Sequence, residues 1–131
     1  MQAEYERPIL GIPEMDAQHD YLYTLFDRLT ADISREDMSE LLDEIAGYLD
    51  FHITSEEHLI RHYKVPGFSV HQADHVSAAQ TFLKYMDAFE QGSMNPARLQ
   101  NAMTGWLGEH SLSADMEYAD FIRAIRERQK L

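Results

Sequence analysis

Apolar residues recur at intervals of three and four along most of the chain, the period of an amphipathic helix that buries one face. The strict alternation that marks a half-buried strand is missing. Helix breakers cluster at Gly11-Ile12-Pro13, Pro66-Gly67, Gly92 and Asn95-Pro96, which leaves long uninterrupted stretches between them. Ser34 with Asp37 reads as a capping arrangement, Ser69 as the cap of a helix starting at Val70, and Asn95 as a cap followed by Pro96 at the first helical position. Gly47, Gly105 and Gly108 interrupt the helical patterns, each at a cost of about 1 kcal/mol relative to Ala unless close packing requires it. The spacing therefore predicts four helices at residues 16 to 33, 37 to 63, 70 to 90 and 96 to 128, behind an N-terminal arm of residues 1 to 15. With short connections, these make an all-α, up-down-up-down four-helix bundle forming a single domain over residues 1 to 131.

The apolar stripes are not purely apolar. In the second helix, Leu41, Ile45, Tyr48, Leu49, Leu59 and Tyr63 define a face that also holds His52 and Glu56. The stripe of Ala78, Ala79, Phe82, Met86 and Phe89 in the third helix extends backwards onto His71 and His75. Met15, Leu22, Tyr23, Phe26 and Ile33 surround His19 in the first, and Leu99, Met103, Trp106 and Leu107 surround His110 in the fourth. Each helix thus turns one or two histidines toward the core. His58 falls about 100° off the second stripe and His62 lies on its flank, so both read as solvent-facing.

Asp115 follows His110 by five residues, about 140° around a regular helix. Yet Asp115, Tyr118, Ile122 and Ile125 form a stripe of their own. A π-bulge near Ser111 to Ala114 would bring both stripes onto one face, and such an irregularity is predicted there.

Composition narrows the chemistry. The chain has no Cys, so any metal must be held by nitrogen and oxygen, and a reducing compartment, the cytoplasm, is the natural location. A net charge of -12 opposes nucleic acid and anionic membrane as partners. The opening residues do not read as an export signal, so none is expected, and no apolar run reaches membrane-spanning length. Burying one carboxylate costs several kcal/mol, and two beside five imidazoles would strain a stability of about 5–15 kcal/mol. Bound cations remove that conflict, which makes a dinuclear metal site in the bundle core the expectation.

The series His19, His52-x3-Glu56, His71-x3-His75 and His110-x4-Asp115 resembles the hemerythrin family, the non-haem di-iron oxygen carriers. The likeness runs from residue 9 to about residue 122 and includes Ile12-Pro13-Glu14-Met15-Asp16-Ala17-Gln18-His19, Glu56-Glu57 and Trp106-Leu107-Gly108-Glu109-His110. The resemblance implies two iron ions with an oxo or hydroxo bridge. It assigns His71, His75 and His110 to one iron, His19 and His52 to the other, and Glu56 and Asp115 to bridging. Two octahedral ions offer twelve positions, of which this set and the bridge fill all but one. In the family, O2 binds reversibly at that open position on the two-histidine iron.

The implied role is oxygen storage, buffering or delivery to an oxygen-consuming enzyme, without catalysis. The implied pocket is Leu22, Ile53, Trp106, Leu107 and Ser111. Many relatives have Phe where Ile53 stands and an aliphatic residue at Ser111, whose hydroxyl faces either the pocket or its own helix backbone. Ferritin-like di-iron oxidases use Glu-x-x-His motifs, and this sequence has none, which favours carriage. A di-iron peroxide or NO reductase and an oxygen sensor are the alternatives. Glu57 and Glu109 read as solvent-facing, leaving no inward acid or base for an enzyme. A metallohydrolase built on His19-Asp20 is disfavoured because Asp20 lies about 100° from His19. With no extra apolar stripe on any helix, a monomer is expected.

Overall fold

In a computed structural model, which describes residues 7 to 130, the chain forms α1 (Pro13–Asp27), α2 (Arg35–His62), α3 (Phe68–Glu90), α4 (Pro96–His110) and α5 (Met116–Gln129). A π-helical turn, Ser111–Asp115, joins α4 to α5, so helical backbone continues from Pro96 to Gln129 as the fourth rod of the bundle. Contacts link α1 to α2, α2 to α3, α3 to α4 and α4 back to α1, which closes the four-helix ring. No strand occurs among the described residues, and none of their helices is long and apolar enough to cross a membrane.

Helix ends differ from expectation where local chemistry prevails over periodicity. Residues 13 to 15, expected in the N-terminal arm, already belong to α1, because Pro13 at its first turn has the backbone angle a helix needs. α1 stops at Asp27, well short of residue 33. Ile33 stands one heptad after Phe26 and so mimics a helical stripe, but it reaches the core from the connecting loop. α3 starts two residues early, at Phe68, on the left-handed Gly67 (φ 87°), and Ser69 makes no cap. Ser34 does cap α2, its side chain accepting the Asp37 N–H at 3.1 Å. Gly47 and Gly105 face open space, so packing does not demand glycine there.

These caps give a direct stability comparison. Ser34→Ala is expected to lower unfolding free energy by about 1 kcal/mol, whereas Ser69→Ala should stay within about 0.5 kcal/mol. Urea unfolding of the two variants checks this. Equal losses would show that Ser69 contributes a cap after all.

The core consists of two apolar clusters with a polar layer between them. One gathers Leu22, Phe26, Leu41, Ile45, Leu49, Phe82, Leu99, Met103 and Leu107; the other gathers Leu10, Ile12, Met15, Ile60, Tyr118, Ala119 and Ile122. Along α1 the order is Met15, His19, Leu22; along α2 it is Leu49, His52, Glu56, Ile60; along the fourth rod it is Leu107, His110, Asp115, Tyr118. The buried polar residues therefore meet at one level, sealed by hydrophobic packing above and below.

Candidate metal centre

Spacing within the helices assembles the layer. His52 with Glu56 and His71 with His75 are four apart, so each pair shares a helix face. His110 and Asp115 are five apart, and the π turn brings them into register, since its bonding pattern takes in one more residue than an α-turn. The predicted irregularity is thus present where the two stripes conflict. All seven residues are buried, and the most exposed, His71, is only 6% accessible.

Glu56 Oε1 lies 3.0 Å from His75 Nε2 and 3.3 Å from the Nε2 atoms of His71 and His110. Its Oε2 lies 3.2 Å from His52 Nε2 and 3.9 Å from His19 Nε2. Asp115 repeats the division. Its Oδ1 is 2.9 Å from His71 Nε2 and 2.8 Å from His110 Nε2, while Oδ2 is 3.6 Å from His19 Nε2. Each carboxylate gives one oxygen to a three-histidine group and the other to a two-histidine group.

This donor set fits a pair of cations. Glu56, His71, His75 and His110 converge with one donor atom each within 4.8 Å of one another, and so do His19, His52 and Glu56. Ligand atoms about 2.1 Å from an octahedral divalent ion stand roughly 3 Å apart along its edges, close to the spacings here. His19 Nδ1 and Nε2, His52 Nε2 and Asp115 Oδ2 are also buried with no hydrogen-bond partner among the described residues. Orphaned polar atoms are costly, and their gathering in one place points to a charged occupant.

Electrostatics agree. Burial pushes the Glu56 carboxyl up, but the imidazoles of His110, His19, His52 and His71 gathered around it outweigh that and hold the group well below the carboxylate range. Burial pushes His71 and His110 down, but Asp115 and Glu56 beside them win, raising His71 to about 9 and His110 to about 10. Protons on these rings balance the carboxylates when no cation does. The buried Tyr118 hydroxyl donates to Glu56 Oε2 at 3.3 Å. Burial and then the charges of Glu56 and Asp115 raise its pKa, so it stays a neutral donor.

Four outer residues were not legible as site residues in the sequence. Gln18 Oε1 accepts from His52 Nδ1 at 2.8 Å, Glu57 Oε2 from His75 Nδ1 at 3.3 Å, and the Asp74 carboxylate from His110 Nδ1. Tyr118 is the fourth. The solvent-facing reading of Glu57 is corrected: its side chain folds onto His75 and is only 19% exposed. Glu109 is exposed, as are Asp20, His58 and His62.

Of the pocket residues, Leu22 and Leu107 are fully buried in the first apolar cluster, and Ile53 packs half-buried against it. The Trp106 indole stacks on His110 with ring centres 5.1 Å apart. Ser111 is 1% exposed, and its Oγ has no partner among the described residues, whereas Ser113 Oγ bonds its own helix at Glu109 O.

Residues 10–122 match the family model described as the Hemerythrin HHE cation binding domain. The chain is 25% identical over 118 residues to a bacteriohemerythrin of Stenotrophomonas maltophilia (strain R551-3), covering 88% of this chain and 77% of that protein. It is 26% identical over 103 residues to a bacteriohemerythrin of Aquifex aeolicus (strain VF5), covering 73% of this chain and 78% of that protein. No solved structure matches the chain. The match to the family model spans most of the sequence and takes in all seven converging residues, and the chain belongs to the hemerythrin family.

Proposed function

We propose that the protein binds O2 reversibly at a non-haem di-iron centre, for storage, buffering or delivery to an oxygen-consuming enzyme. The observation that carries this reading is the division of Glu56 and Asp115 between a three-histidine and a two-histidine group. His71, His75 and His110 would hold one iron, His19 and His52 the other, with both carboxylates bridging. Bound there, a pair of irons would supply the redox chemistry that reversible O2 binding requires.

The chain's own residues set the conditions. A ligand set dominated by neutral imidazoles favours reduced iron over the ferric state that carboxylates prefer. Leu22, Ile53, Trp106 and Leu107 make the pocket walls apolar, which keeps water from the site. Ser111 brings the hydroxyl free to meet the pocket's occupant. Tyr118 steadies Glu56 as a neutral donor.

A peroxide or NO reductase would need a proton source on the metal-facing side, and the carboxyl that turns toward the histidine layer, Glu57, is the observation that favours it. Its oxygen, however, contacts His75 Nδ1, on the far side of the ring from Nε2. It serves the ligand and does not reach the reacting side, so carriage is the better reading.

The test is iron content together with the visible spectrum of anaerobically reduced protein, before and after air, and again after oxygen removal. Two irons per chain and a reversible change are expected. Irreversible oxidation with rapid peroxide or NO turnover would overturn carriage in favour of the enzyme.

A further inference from the structure

Four of the inward imidazoles, two in each half, differ in what holds their outer nitrogen. In the three-histidine half, His75 Nδ1–H donates to the Glu57 carboxylate at 3.3 Å and His110 Nδ1–H donates to the Asp74 carboxylate. In the two-histidine half, His52 Nδ1–H donates to the neutral amide oxygen of Gln18 at 2.8 Å, and His19 Nδ1 has no partner among the described residues. All charged outer support thus falls on one half. Both carboxylates also keep contact with water, at 19% exposure for Glu57 and 40% for Asp74, so their charge is not itself buried without compensation.

The chemical consequence is directional. An outer acceptor fixes the proton on Nδ1 and leaves the Nε2 lone pair free for a metal, and a charged acceptor also pushes electron density onto the ring. An amide fixes the tautomer with less effect on basicity. An unsupported ring must be oriented by the metal alone. We propose that Glu57 and Asp74 make the three-histidine half the stronger cation site beyond what its extra histidine provides, so that the centre fills in a fixed order. The three-histidine half loads first, and Gln18 tunes the second step. This inference rests on the reading that the centre holds two cations.

The test uses Co2+ as a redox-inert probe, titrated into metal-free protein at one fixed pH and followed by calorimetry and visible absorption. Wild type should bind two ions in two steps; fewer than two would defeat the two-cation reading itself. Asp74→Asn and Glu57→Gln keep an acceptor oxygen but remove its charge, and each should weaken the first step by about 10- to 100-fold. Gln18→Leu should weaken only the second step, and Gln18→Glu should strengthen it. Because the bridging carboxylates couple the steps, Asp74→Asn is repeated in His19→Ala/His52→Ala protein, where the three-histidine half stands alone. The same loss should appear there, and Asp74→Glu should restore much of it with unchanged circular dichroism. Two ions bound by wild type, with both steps weakened equally by Asp74→Asn or neither weakened, would overturn the inference and leave the two-cation reading intact.

Discussion

Purified Glu56→Ala protein is expected to retain almost no iron, while His52→Ala should keep the ion of the three-histidine half. Glu56 reaches all five histidines of both donor groups, with Oε1 facing His71, His75 and His110 and Oε2 facing His52 and His19, whereas Asp115 reaches three of them. Its loss removes an anionic ligand from each half at once. His52 touches only one half, and the three-histidine group with Asp115 Oδ1 is untouched by its removal. Glu56→Gln sharpens the comparison, since the amide fills the same space without the charge that offsets two cations. Both apolar clusters are unaltered in these variants, so helical content should survive and iron per chain is the informative readout. Two intact irons in Glu56→Ala protein would sink the bridging assignment.

The inward histidines were legible because helical period converts sequence spacing into direction, and five unrelated imidazoles on apolar stripes would each need a polar partner of its own in the core. The π turn was legible for a subtler reason. His110 and Asp115 each sat on a convincing stripe, and the two stripes agree only if the helix changes its winding between them. Helix ends were less legible. Ile33 imitates a stripe at heptad spacing, and the turn through Lys64 (φ 55°) to Gly67 sets the start of α3 before Ser69 can. The outer partners were not legible at all. Gln18, Glu57 and Asp74 each adjoin an inward residue in sequence, so they lie about 100° off its stripe and read as surface. Their polar ends reach round to a histidine on another helix, a relation that exists only after the helices pack.

Metal uptake and metal-free stability are expected to respond to pH in opposite directions. In the folded, metal-free protein, His71 and His110 are raised to about 9 and about 10 from 6.5. Groups whose folded pKa is raised contribute stability that is fully present below the unfolded value. That contribution declines above pH 6.5 and is gone once the pH has passed through 9 to 10. Glu56 has the opposite sign: its support is present above 4.5 and fades as pH falls through its lowered folded value. The unfolding midpoint of metal-free protein should therefore drop steadily between neutral and alkaline pH. A cation, by contrast, must displace the protons on His71 and His110 before their Nε2 atoms can bind it. Near neutrality, binding two ions should release about two protons, and affinity should rise by up to about a hundredfold per pH unit until those rings are neutral. Acid should release the metal by the same linkage. Calorimetry in buffers of different ionisation enthalpy counts the protons, and thermal melts of metal-free protein read the other limb. Uptake without proton release would mean that the two rings are already neutral in the folded protein and that Glu56 and Asp115 are balanced in some other way.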